Sequence, residues 1–202
     1  MIIQSSGTPR VMSEHQPLSV DGQPQQLNQE EATQLAEELK LQIRNGEIPA
    51  DDSNNIERMV AGLGDPRGLM RLTFAESLGV VGKAAVPSLC RALSEHDSVT
   101  VRRAAAKTLT LIEDPRALPV LLKALLNDSD PVVQGAAVGA MAAVGAEAID
   151  GLLEVLINPD STAMQLGLAS WGLAFVGARA PEALRKAATS EHAEIRCPAI
   201  AA

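Results

Sequence analysis

Residues 97–109 read Asp97-Ser98-Val99-Thr100-Val101-Arg102-Arg103-Ala104-Ala105-Ala106-Lys107-Thr108-Leu109, and this stretch decides the fold. Its Val101-Arg102 pair recurs as Met70-Arg71, Val133-Gln134, Met164-Gln165 and Ile195-Arg196, the second members separated in turn by 31, 32, 31 and 31 residues. Three residues on stand Phe74, Ala105, Ala137, Leu168 and Ala199. Seven on come Leu78, Leu109 and Met141, with Gly172 in the fourth copy. Offsets of −1, +3 and +7 from the Arg/Gln mark are one buried stripe of an amphipathic helix.

A second helical pattern precedes each copy. Pro87-Ser88-Leu89-Cys90-Arg91-Ala92-Leu93 aligns with Pro119-Val120-Leu121-Leu122-Lys123-Ala124-Leu125, and less closely with Asp150 to Leu156. Turn residues lie between the two helices, as in Asn127-Asp128-Ser129-Asp130-Pro131, where Asp and Ser accept from orphan amides and Pro suits a first turn. Gly82, Gly145 and Gly177 are expected to close second helices as left-handed caps, with Glu113-Asp114-Pro115 in that place in repeat 2. From about residue 54 to 202 the chain therefore reads as about five helix pairs. A lone pair cannot bury its apolar face, so the pairs stack into an all-α solenoid with one continuous core, wound as a right-handed superhelix.

Composition agrees. Apolar residues make up 46% of the 202 residues but aromatics only 1%, while alanine and leucine number 32 and 25. Small aliphatics suit close helix packing and not a half-buried sheet. The net charge of −8 and the absence of any Lys/Arg run exclude nucleic acid as a partner class. Half of that charge falls in residues 1–50, which hold seven acids and three bases. The longest apolar run, Gly135 to Ala146, is too short for a transmembrane segment, and the N-terminus has no basic-then-apolar signal pattern. Two separated cysteines, Cys90 and Cys197, fit a reducing, cytoplasmic setting.

Residues 1–28, rich in Gln, Ser, Pro and Gly, are expected to be a disordered tail. Residues 29–53 are expected to form a capping helix and linker. Asn28 and Glu31 have capping-box spacing, Ala32, Leu35, Leu39 and Ile43 share a face, and Asn45-Gly46 ends the helix. The last repeat, Ile195 to Ala202, reads as a half helix, so a truncated C-terminal repeat is expected.

The 97–109 segment resembles the second helix of a HEAT repeat, and the short period is similar to that of the HEAT-like repeats in E/F-type phycobilin lyases and related cyanobacterial phycobilisome-associated proteins. The resemblance covers about three quarters of the chain. It implies an α-solenoid that binds phycobilisome polypeptides or their bilins. HEAT repeats commonly pair a turn acid with the helix arginine in a ladder, which Asp97 with Arg102 and Glu191 with Arg196 match. Gln134 and Gln165 interrupt that ladder.

Catalytic patterns are absent. Gly62-Leu63-Gly64-Asp65-Pro66-Arg67-Gly68 misses the dinucleotide-binding spacing, and Gly82-Lys83 lacks the rest of a phosphate loop. Ser94-Glu95-His96 recurs as Ser190-Glu191-His192, but three repeats at about 10 Å per layer keep the histidines roughly 30 Å apart, too far for one metal. Cys90 reads as a core thiol; Cys197, after Arg196, has a cation beside it. No metal and no intrinsic cofactor are expected.

The informative surface is the second-helix face turned away from the core. Offsets +1, +5 and +8 give Arg103, Lys107 and Thr110 in repeat 2, Gly135, Gly139 and Ala142 in repeat 3, and Leu166, Ser170 and Leu173 in repeat 4, with Trp171 and Phe175 close by. This predicts a groove with a basic edge and an apolar floor, fit for a partner helix or for a bilin such as phycocyanobilin with its propionates at Arg103 and Lys107. The first functional expectation is a non-catalytic binding or scaffold protein for a phycobiliprotein subunit, related assembly factor or bilin. The second is a bilin lyase or lyase subunit, and the third an adaptor for an iron–sulfur carrier.

Overall fold

The computed structural model describes residues 27–201 except His192. The expected tail through residue 26, and the histidine of the second Ser-Glu-His motif, lie outside the described residues. Among the described residues the chain is helical and has no strand. Its helices are α1 (Gln29–Arg44), α2 (Ser53–Gly62), α3 (Gly68–Val81), α4 (Val86–Glu95), α5 (Val99–Ile112), α6 (Leu118–Asn127), α7 (Pro131–Val144), α8 (Ile149–Ile157), α9 (Ala163–Arg179), α10 (Pro181–Ala188) and α11 (Ala193–Ala201). Helices α2 to α11 pair in sequence. The second helices α3, α5, α7 and α9 stack side by side, and the first helices α2, α4, α6 and α8 form the other layer. This is the α-solenoid that the period requires.

The amphipathic pattern explains the packing. Val101, Ala105 and Leu109 of α5 and Val133, Ala137 and Met141 of α7 are buried, as are Phe74 and Leu78 of α3. Helix α1 begins at the Asn28 capping box and buries Ala32, Leu35, Ala36 and Leu39. It packs on α3 and so covers one end of the second-helix layer. Arg67 fastens it there, donating to Thr33 Oγ1 at 2.9 Å and to the Gln29 carbonyl at 3.3 Å while paired with Asp65.

Repeat 4 departs from the pattern. Thr162 and Gln165 form a second capping box at the start of α9. The Gln165 amide also reaches back to the carbonyls of Leu125 and Leu126, at 3.2 and 2.9 Å, at the end of α6. These bonds draw Gln165 inward, so α9 buries Gln165, Ala169, Gly172, Leu173 and Val176, and Met164 is exposed. The helix is turned by one residue relative to α5 and α7. It also runs past Gly177, which is no cap: a Cβ there would come within 2.4 Å of Leu184 in α10. Gly82 and Gly145 do take positive φ, of 71° and 97°. The equivalent Glu113 adopts the left-handed conformation at φ 54°, a region unfavourable to side chains with a Cβ.

The ladder also differs from expectation. Arg102 does not pair with the Asp97 carboxylate; its Nη1 donates to the carbonyls of His96 and Asp97 at 3.0 and 2.9 Å. Its other nitrogens grip Asp128 of the next repeat in a two-pronged pair. Arg71, Gln134 and Arg196 likewise donate to their own turn carbonyls, so glutamine replaces the carbonyl-binding part of the arginine's role but not the ion pair. For Arg196 the acceptors include the Glu191 carbonyl, not the side chain expected for the ladder. Arg103 clasps Asp130, the residue that caps α7 through the amides of Val132 and Val133.

These ion pairs set an acid limit. Hydrogen bonding to Arg103 and its charge hold Asp130 down at about 2, and Arg116 does the same for Asp114. A carboxylate whose folded value lies below its unfolded value near 3.9 contributes stability that is complete above that unfolded value. It is lost as pH falls toward the folded value. Thermal midpoints should therefore hold flat from neutrality to about pH 5 and drop steeply between about pH 4 and pH 2. A midpoint already falling by pH 6 would contradict this assignment.

Candidate functional site

The outward faces of the two layers differ in chemistry. The first-helix layer presents Arg91, Ser94 and Glu95, then Lys123 and Asn127, then Asp150 and Glu154, all exposed. The second-helix layer presents Leu72, Glu76 and Val80 of α3, Lys107 and Leu111 of α5, Val132 of α7, and Met164, Trp171 and Phe175 of α9, also exposed. Helix α7 has no Asp, Glu, Lys or Arg, and α9 has only Arg179 at its last residue. A solvated helix face without charge is the signature of a binding surface.

The chain's aromatics concentrate there. Trp171 is 52% exposed and stacks on Phe175 with ring centroids 5.7 Å apart. The Arg179 guanidinium carbon lies 5.9 Å from the Phe175 ring centre. Trp171, Phe175 and Arg179, at i, i+4 and i+8, form a rail along α9. Trp171 stands at offset +6, where repeats 1 to 3 bury the small residues Ser77, Thr108 and Ala140. The one-residue turn of α9 is what brings an indole at that offset out to solvent.

Beside the rail lies a shallow floor. A Cβ added to Gly139 would meet nothing within 4 Å, and one on Gly135 would make only an ordinary 3.8 Å contact with Leu168. Helix packing therefore requires neither glycine, although each costs about 1 kcal/mol of helix propensity relative to alanine. Gly172 contrasts with them: its Cβ would lie 2.8 Å from Val138 and 3.2 Å from Leu152. With α9 turned by one residue, Lys107, Gly139 and Trp171 fall on one row across α5, α7 and α9. At about 10 Å between neighbouring helices, that row spans roughly 20 Å.

The structure leaves some of the expected site residues on the surface and buries others. Lys107, Ser170 and Trp171 are exposed, Gly135 and Gly139 half-exposed. Leu166 has the same intermediate exposure as the two glycines, and Leu173 is fully buried in the core, because the turn of α9 points it inward. Ala142 is buried too, as is Ala143, so the outer stripe of α7 stops short of these residues, whereas at offset +9 Val80, Leu111 and Ala174 are exposed. Arg103 is committed to Asp130, which leaves Lys107 as the cation at the floor's α5 edge; it makes no ion pair among the described residues. Arg179 was not anticipated. Its place four residues after Phe175 and eight after Trp171 was the available signal.

Other chemistry-bearing residues sit apart. His96 borders a cleft of about 360 Å³ with Arg102, Lys123 and Asp128, where its Nδ1 accepts the Ser98 amide at 3.0 Å. Burial, opposed by Asp97, pulls its pKa down, so the neutral ring serves the turn. Burial pushes the half-buried Cys90 thiol up, and the nearby Asp114 charge adds to the effect, which favours the inert thiol. Cys197 is exposed. Among the described residues no group of His, Cys, Asp and Glu is arranged to hold a metal. No helix there is long and apolar enough to cross a membrane.

Residues 56–142 match the HEAT repeats family. The chain is 48% identical over 174 residues to the bilin biosynthesis protein MpeU of Synechococcus sp. (strain WH8020), covering 86% of this chain and 59% of that one. It is 34% identical over 124 residues to the uncharacterized phycocyanin operon protein Z of Pseudanabaena tenuis (strain PCC 7409), covering 58% and 61%. The chain thus spans about three fifths of the length of these two relatives. In fold it is similar to a chain in the complex of CpcE and CpcF of phycocyanin lyase from Nostoc sp. PCC7120. The TM-score is 0.53 at 22% identity, covering 74% of this chain and 98% of that one. By repeat type and fold the chain is a HEAT-repeat α-solenoid, and over most of its length its sequence is similar to that of a bilin biosynthesis protein.

Proposed function

We propose that the chain is a bilin lyase or a lyase subunit, which holds a linear tetrapyrrole on the α5–α7–α9 face for transfer to or from a phycobiliprotein subunit. The observation that carries this is the 48% identity to a bilin biosynthesis protein across 86% of the chain. Among the expectations from sequence, the lyase reading fits these relatives better than the coarser scaffold reading. The relatives described do not point to iron–sulfur assembly. The face suits the ligand. A planar pigment gains from the stacked Trp171 and Phe175, lies close to the backbone at Gly139, and meets a cation at Lys107. The chain supplies orientation and exclusion of water from one pigment face, and the pigment supplies the reactive carbons.

Trp171 is the sole tryptophan, so its emission reports this face alone. Titration with phycocyanobilin should quench it and shift the pigment's absorption band, with half-saturation at or below tens of micromolar. The full-length protein, mixed with pigment and apo-phycobiliprotein subunits, should speed or direct pigment attachment. Unchanged emission and an unchanged band at tens of micromolar would reject the bilin reading.

A further inference from the structure

Resting on the bilin reading, the geometry points to Arg179 as a receptor for a tetrapyrrole carboxylate, with Glu113 as the carboxylate that the ligand's own displaces. Arg179 touches three consecutive repeats. It covers Phe175 of repeat 4, donates from Nη1 to the Ala143 carbonyl of repeat 3 at 3.3 Å, and faces Glu113 of repeat 2. Those contacts fix the guanidinium at the end of the aromatic rail. The Glu113 contact is of a different kind. Its Oε1 stands 3.9 Å from Nη2, beyond hydrogen-bond reach, and both side chains are about half exposed.

Arg103, the cation expected from the sequence to meet a propionate, is already closed into a two-pronged pair with Asp130. Arg179 has donors left over after Ala143, because a guanidinium carries five N–H groups. A planar, forked donor is matched to a carboxylate. Lys107 and Arg179 then offer two cations on the apolar face for a ligand with two carboxylates. The loose partner also makes sense of Glu113's left-handed backbone. A half-exposed ion pair at 3.9 Å contributes little to stability, whereas the left-handed conformation is costly for glutamate, so stability alone does not account for the residue. An incoming carboxylate would make short, charge-assisted bonds where Glu113 makes none.

The test compares phycocyanobilin with its dimethyl ester, which has the same rings and no carboxylate charge, by quenching of Trp171. The free acid should bind the wild-type protein about fivefold more tightly than the ester, and raised salt should shrink that ratio. Arg179→Met should weaken the free acid about fivefold and leave the ester unchanged, while Arg179→Lys should retain part of the difference. Glu113→Gln should tighten the free acid roughly twofold, because a competing like charge is removed. Equal binding of acid and ester by the wild-type protein, or a Glu113→Gln that weakens the acid, would overturn the assignment while leaving the bilin reading intact. No quenching by either form would instead refute the bilin reading itself.

Discussion

Gly139→Leu should leave the protein as stable as before, or more stable by about 0.5–1 kcal/mol, and should weaken tetrapyrrole binding tenfold or more. Both halves follow from one position. A Cβ at residue 139 meets no atom within 4 Å, so the new side chain starts into open space above α7. Leucine is a strong helix former, and it removes the backbone freedom that glycine gives the unfolded chain. The same side chain would stand on the floor between Lys107 and Trp171, across the path of the proposed flat ligand. Urea midpoints and quenching of Trp171 by phycocyanobilin read the two effects separately. A variant with lowered stability would show that the glycine serves packing. One with normal binding would show that the ligand does not cross α7 at this level.

The other large effect concerns the opposite end of the solenoid. Phe74→Ala should cost about 3–5 kcal/mol of unfolding free energy. The ring is fully buried, and its face lies so close to Gly62 that a Cβ there would be 2.4 Å from Cδ2. Removing the ring opens a cavity where α2 meets α3, and interiors this closely packed relax only in part. Gly62→Ala alone should also destabilise, by about 1–3 kcal/mol, through overpacking. In the Phe74→Ala background the same methyl finds space, so the pair should couple, with the double variant losing less than the sum of the singles. Strict additivity in urea unfolding would contradict this account. Repeat 1 lies outside the proposed α5–α7–α9 ligand face, so folded Phe74→Ala should quench normally with pigment.

Much of this was written in the sequence, because a repeat gives each claim several witnesses. The mark at Arg71, Arg102, Gln134 and Gln165 located four second helices, and the stripe through Val101, Ala105 and Leu109 showed which side is buried. Lys107, Gly135, Gly139, Ser170 and Trp171 were legible as a surface for the same reason. What failed was specific. Leu173 was misplaced because side-chain bonds at Thr162 and Gln165 rotate α9, and periodicity read from neighbouring repeats is blind to such bonds. Arg103 was taken as available because its partner Asp130 lies 27 residues away, in the next repeat's turn. Arg179 was missed because α9 outruns the expected stop at Gly177.

The turn of α9 has a consequence for how solenoids diversify. Aligned repeats are usually treated as columns in which each position keeps one environment. Here the column holding Ser77, Thr108, Ala140 and Trp171 changes from interior to surface between its third and fourth members. The change is in phase: two residues at the mouth of a helix reset where its whole circumference points. A repeat array can in this way acquire a new face without altering its period. Inheritance of role by column then holds only as far as the helix phase is kept, and in this chain it ends at residue 162.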